Sequence, residues 1–285
     1  MASGIAIHIG VNQPASSRQC RLSLSEGYAW QMAELSRQAG YGAIHLLCGA
    51  HATCGAVRGL LTSAAKALEP GDTLFVSFSG HGSQVPDASR DERDGMDETW
   101  CLYDAELLDD ELMDVWREAP AGTRVLVVSE SCFAGGMRYY EEDVLAEHPP
   151  LSRRPVYRSG GPAMRGVKQY TQQVPSSCIA RAPLHDDGIK ASVLLMAGAG
   201  EKQTAREGLY LRHLLKLWNG GAFRDSFCEL HRQLWTSVRH ENPEQDPQII
   251  MLGQPDPDFP HETAFHLDRQ VMRGGASVMR GGLRG

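Results

Sequence analysis

Two residues in this sequence have the type and setting for nucleophilic chemistry. Cys132 follows the apolar run Arg124–Ser129 and precedes a stretch of small residues, Ala134-Gly135-Gly136. A thiol on the turn after a buried strand stays exposed, and small neighbours let a peptide backbone come close. The attacking species is the thiolate, so an imidazole must stand within reach to draw off the proton. His81 meets that need, lying between Gly80 and Gly82 at the end of a second apolar run, Asp72–Phe78. Glycine at position 82 leaves room for a substrate carbonyl and a backbone N–H for the oxyanion. Either residue alone reads as structural, one a core histidine and the other a buried thiol. Together, each at a strand end and 51 residues apart in the chain, they read as a Cys–His dyad.

The elements that must position this pair are legible as a pattern. Short apolar runs fit for strands buried on both faces are Gly4–Val11, Ala43–Leu47, Asp72–Phe78, Arg124–Ser129, Ser192–Ala197 and Gln248–Leu252. Helical patterns lie between most of them, at Ser25–Gln38, Thr53–Leu68, Asp109–Arg117, Thr204–Trp218 and Phe223–Val238. Strands alternating with helices predict an α/β protein with a mainly parallel sheet, and such sheets carry their sites at the carboxyl ends of the strands. Both dyad residues fall at such ends.

Two regions break the pattern. From Asp87 to Glu111 eleven carboxylates face two arginines, which reads as a solvated acidic loop or a field that attracts a basic substrate. From Leu151 to Arg181 six basic residues stand among prolines and glycines with no acid, which reads as an exposed linker. The Arg/Gly-rich residues from 268 on read as a tail of the same kind. The expected organisation is therefore a first half over 1–136 carrying the dyad, a basic linker over 137–190, a second half over 191–267 and a tail over 268–285.

Composition narrows the class. Twenty-eight basic against thirty-five acidic residues leave a net charge of −7, which argues against a nucleic-acid partner. No apolar stretch reaches the length of a membrane span, and the N-terminus lacks the charged and apolar regions of a signal peptide. Seven scattered cysteines with no C-x-x-C pair predict neither a disulfide framework nor a structural zinc site. The expectation is a reduced, cytoplasmic protein that binds no membrane.

Ser79-Gly80-His81-Gly82-Ser83-Gln84 resembles the SGHG(S/T)Q motif of metacaspases, and Ser131-Cys132 with Gly135 resembles their D-(S/C/A)-C-H-S-G motif. Ile5–Val11, Pro70-Gly71-Asp72, Asp94–Glu98 and Thr204-Ala205 resemble further elements of that family, so the likeness runs over roughly 4–265. It implies a caspase-like fold with a six-stranded, mostly parallel sheet flanked by helices. It also implies cysteine endopeptidase activity through a thioacyl-enzyme on Cys132, with His81 as base. The chain departs from the family at Glu130, where an aspartate is usual, and at Phe133-Ala134, where His-Ser is usual.

The resemblance carries further expectations. The acid two residues before the nucleophile, Glu130, lines the pocket for the residue preceding the cut, and Glu26 stands nearest to the family's second pocket acid. A carboxylate pair suits a guanidinium, so substrates with arginine, or lysine, before the cut are expected. Glu26 reads equally as an acid at a helix N-terminus, and Arg21 beside it would favour an acidic substrate instead. Met-Arg-Gly occurs three times, making Arg165, Arg273 and Arg280 candidate self-cleavage sites. No cofactor is required. Calcium is the one candidate, with Asp109 and Asp110 where the family places ligands and Asp94 and Asp97 as helpers. Three other readings use the same residues: a separase- or CHAT-like effector peptidase awaiting an activating protein partner, a catalytically silent caspase-fold binding module, and a non-peptidase cysteine hydrolase.

Overall fold

The computed structural model describes residues 3–15, 21–86, 96–132, 180–181, 188–200 and 203–267. The six apolar runs form the strands β1 Gly4–Gly10, β2 Ala43–Cys48, β3 Thr73–Ser79, β7 Arg124–Glu130, β9 Ser192–Ala197 and β10 Gln248–Gly253. They lie side by side in the order β2-β1-β3-β7-β9-β10, parallel except for the antiparallel β9–β10 pair. A two-residue strand, β8 Ala180–Arg181, adds to the edge of β10 and falls inside the stretch read as linker.

Alternation along the strands builds two cores. On one face Ile7, Ile9, Leu74, Val76, Val125 and Val127 pack against α2 Cys54–Ala67 and α3 Asp109–Arg117. On the other, Ala6, Phe75, Leu126, Val128, Leu194 and Met196 meet α1 Ser25–Ala39, α4 Leu209–Trp218 and α5 Phe227–Glu241. This is the sandwich that strands buried on both sides require. A buried polar chain fixes α1 to the sheet: His8 on β1 bonds Ser77 Oγ on β3 through Nδ1 at 2.7 Å and Ser36 Oγ on α1 through Nε2 at 2.8 Å. Burial drives the His8 pKa down to about 3, so the ring stays neutral at working pH.

Part of the acidic stretch is not a solvated loop. Gly82–Pro86, Met96–Cys101 and Glu106–Leu108 form a small antiparallel sheet, β4-β5-β6, and Asp97, Glu98 and Asp109 are buried in or beside it. Gln84 Nε2 donates to Glu98 Oε1 at 2.9 Å, and Asp109 Oδ1 accepts from Asp110 N at 2.9 Å. Charge counting along the sequence could not reveal this, because strand pairing places the acids. Two helix starts also differ. α4 begins at Leu209, because Gly208 adopts a φ of 71° that ends any helical run before it. α5 begins at Phe227, where Ser226 caps it by accepting from Glu229 N at 3.2 Å.

Candidate active site

The register of the two central strands sets the site. β3 and β7 run in step up to Ser79 opposite Glu130, and His81 and Cys132 each stand two residues further on. Gly80 N donates to Glu130 O at 3.3 Å, and the His81 carbonyl accepts from Cys101 N at 3.0 Å, tying the histidine turn to both sheets. Stacked rings of Phe78 and Trp100, 4.6 Å apart, brace that turn from below. Gly82 is pressed onto the cysteine: a Cβ there would sit 2.0 Å from the Cys132 carbonyl oxygen. Only glycine permits this approach of the two strand ends. Cys132 is half-buried and unpaired, with its Sγ 4.0 Å from the carbonyl oxygen of Ala205.

Ala205 belongs to a loop over 203–208 that supplies a further wall, and long-range bonds hold it. Gln203 Oε1 accepts from Gly200 N and Asp246 N at 3.1 and 2.9 Å. Arg206 N donates to Oε1 of the fully buried Gln245 at 3.0 Å, whose Nε2 donates to Gly198 O at 2.8 Å. Tyr28 on α1 donates to Gly208 O at 3.2 Å. Glu207 Oε1 accepts from Ser23 N at 2.5 Å and Leu24 N at 2.7 Å, just before α1. None of these pairings left a signal in the sequence, since partners such as Ser23 and Glu207 are 184 residues apart.

Glu130 ends β7 directly beneath the cysteine turn and is 3% exposed. Its Oε1 accepts from Tyr210 N at 2.7 Å and Leu211 N at 3.1 Å, capping α4, while its buried Oε2 has no hydrogen-bond partner among the described residues. Burial raises its pKa from 4.5 to about 7, against the lowering effect of the helix N–H groups, and the field of Glu207 adds to the rise. The folded protein therefore binds this proton more tightly than the unfolded chain. Its stabilising effect is full below about pH 4.5 and is lost as pH rises to about 7. Glu130→Gln keeps an acceptor for the helix and removes the charge. The stability of Glu130→Gln relative to wild type should rise between pH 5 and 8, by on the order of 3 kcal/mol. Urea unfolding across that range measures it, and a difference independent of pH would contradict it.

Glu26 lies in the first turn of α1, where its N–H donates to Asn12 Oδ1 at 3.2 Å and its Oε1 accepts from Asn12 N at 3.4 Å. This exchange ties the end of β1 to the helix start, and Gly49 at the end of β2 packs against the same carboxylate. The structure therefore places Glu26 and Glu130 at the carboxyl end of the sheet, as it does His81 and Cys132. Asp97 is buried on β5, and Asp109 and Asp110 open α3, beside the small sheet. Among the described residues no three His, Cys, Asp or Glu side chains are arranged to hold a metal ion, so no step below is routed through calcium. Asp94, Arg165, Arg273 and Arg280 lie outside the described residues. No described helix is long and apolar enough to cross a membrane.

A six-stranded sheet with a histidine and a cysteine on adjacent central strand ends is the architecture of the caspase-fold proteins. Comparisons agree. Residues 50–138, spanning both His81 and Cys132, match the family described as metacaspase, peptidase C14 domain. Metacaspase-7 of Arabidopsis thaliana is 38% identical over 85 residues, which are 28% of this chain and 21% of that protein. Metacaspase-1 of Schizosaccharomyces pombe is 40% identical over 73 residues, 24% of this chain and 17% of that protein. The aligned part thus spans about a fifth of the length of these relatives. The solved structure of protein GSU0716 from Geobacter sulfurreducens superposes with a TM-score of 0.68 at 30% identity, covering 93% of this chain and 99% of that one. Caspase-1 of Spodoptera frugiperda superposes at 0.54 and 12% identity, over 94% and 92% of the two chains, which speaks to fold alone. Over residues 50–138 the chain is similar to the metacaspase peptidase C14 domain, and its fold is caspase-like.

Proposed function

We propose that this protein is a cysteine endopeptidase that cuts peptide bonds after arginine or lysine, with Cys132 as nucleophile and His81 as base. The observation that carries this reading is the β3–β7 register, which sets the two residues level on neighbouring strand ends with Gly82 against the cysteine. His81 takes the thiol proton as sulfur attacks the scissile carbonyl. The Gly82 N–H faces the oxyanion. His81 then returns the proton to the leaving amine, and a thioacyl-enzyme on Cys132 remains for water to hydrolyse. Glu26, and Glu130 in its ionised form, supply negative charge at the same end of the sheet, which favours a cationic side chain before the cut.

Matched fluorogenic peptides ending in arginine, lysine or aspartate test this, assayed with chelator and with calcium. Arginine is expected to be cut fastest and aspartate least. Faster cleavage after aspartate would overturn the specificity. The Met-Arg-Gly sites at Arg165, Arg273 and Arg280 extend the proposal to self-processing. Intact mass of the incubated protein reads this in the same experiment, and a chain that stays whole while turning over peptide would remove it.

A further inference from the structure

We propose that Glu207 is a specificity-determining residue of this site, its free carboxylate oxygen pairing with the cationic side chain before the cut. The inference rests on the cysteine-peptidase reading above and goes beyond it by naming an acid that neither the sequence nor the family likeness singled out.

Three observations lead there. First, Glu207 stands two residues from Ala205, whose carbonyl oxygen is the described neighbour of the Cys132 sulfur. Second, its carboxylate is anchored on one side only. Oε1 takes both the Ser23 and Leu24 N–H groups, while among the described residues Oε2 carries no hydrogen bond or ion pair. A half-buried carboxylate held by two backbone donors has lost its rotamer freedom before any ligand arrives, so binding a cation costs little further ordering. Third, the neighbouring Glu130 is poorly placed to be the sole counter-charge. One of its oxygens caps α4, and the other is buried, with no hydrogen-bond partner among the described residues. Glu130 is closed off beneath the turn, which leaves the half-buried Glu207 Oε2 as the carboxylate oxygen that a guanidinium can meet with several N–H groups.

The rim beside Glu207 fits the stem of such a side chain. Leu24 is 44% exposed, and its Cδ1 packs against Gly208, where Tyr28 also lies. An aliphatic stem can rest on Leu24 while the charged head turns to the Glu207 carboxylate.

The test compares peptides ending in arginine with those ending in citrulline, a neutral group of nearly the same shape. Glu207→Gln keeps an acceptor for Ser23 and Leu24 and removes the charge. The ratio of kcat/KM for arginine over citrulline is expected to fall about tenfold or more in Glu207→Gln. A purely structural role would lower both rates together and leave the ratio alone, and an unchanged ratio overturns the proposal. A second arm needs no turnover: calorimetric binding of N-acetyl-arginine amide and N-acetyl-citrulline amide to Cys132→Ala, with and without Glu207→Gln. Preference for arginine that disappears with Glu207→Gln supports the assignment. Equal binding of both ligands, or a preference that survives the substitution, sinks it. Absence of peptide cleavage by the wild type would count against the peptidase reading, and the binding arm would still decide the role of Glu207.

Discussion

Cys132→Ala and His81→Ala are each expected to lower kcat/KM on an arginine peptide by at least about a thousandfold, and the double variant by little more than either. In the proposed mechanism the sulfur forms the bond to the carbonyl carbon, so its loss leaves no covalent route. The imidazole is needed twice. It removes the thiol proton, and it protonates an amine that otherwise leaves as a poor anion. Near neutral pH an unassisted thiol is only a few per cent thiolate, so ionisation alone cannot replace the base in the second step. Because the two groups act as one unit, their losses should overlap and not add. Steady-state kinetics on the four proteins, with thermal midpoints to confirm folding, read the cycle. Full activity in Cys132→Ala would remove the nucleophile assignment, and additive losses would mean that the two residues act in separate steps.

Much of the frame behind this pair was legible in the residues. Val, Ile and Leu runs bounded by helical periodicity marked all six principal strands; five are buried on both faces and so apolar throughout, while the edge strand β2 is only partly buried. The third helix was readable to its last residue, since three acids open it at Asp109–Glu111 and its apolar positions repeat at helical spacing. What escaped were elements fixed by long-range pairing. The β4–β5–β6 sheet carries too many acids to look like strand. Its pairing of Gln84 with Glu98 is what allows that acid to be buried, while Glu106 stays exposed and accepts from Thr99. The two-residue β8 has no pattern of its own and exists only because β10 offers an open edge.

The site divides the same way. The placement of His81, Gly82 and Cys132 at neighbouring strand ends could be read because local sequence expresses it: an apolar run that stops, and a glycine that admits a close approach. Glu130 and Glu26 were named through the family likeness, but their bonds were not foreseeable. Glu130 meets the helix N-terminus at Tyr210 and Leu211, eighty residues on, and Glu26 meets Asn12 across the first loop. Nothing in the local sequence distinguishes Glu207. Its reach to Ser23 and Leu24 appears only when the first and last thirds of the chain fold against each other. A carboxylate that recognises substrate and one that caps a helix have the same composition and differ only in what faces them.

The crowding of Gly82 leads to the second large effect. Gly82→Ala places a methyl 2.0 Å from the Cys132 carbonyl oxygen and 3.0 Å from its carbonyl carbon. These are backbone atoms, so no rotamer change relieves the overlap, and the two strand ends must separate. The backbone at 82 is not in the left-handed region, so the strain is one of space alone. The His81 turn has little freedom to yield, because its carbonyl is bonded to Cys101 N and the preceding N–H to Glu130 O. A displacement of about 1 Å between nucleophile and base is enough to cost about a hundredfold in rate. The expected result is a kcat/KM lower by about that factor, together with a lower thermal midpoint and slower alkylation of Cys132. Gly59→Ala, in the middle of α2 with nothing within 4 Å of the added methyl, is the matched control. There the same atom enters open space on a helix, where alanine is favoured by roughly 0.5–1 kcal/mol, so stability should rise and activity hold. If Gly82→Ala behaves like Gly59→Ala, the two strand ends do not meet as described, and the close approach of the histidine turn to Cys132 is not what assembles the site.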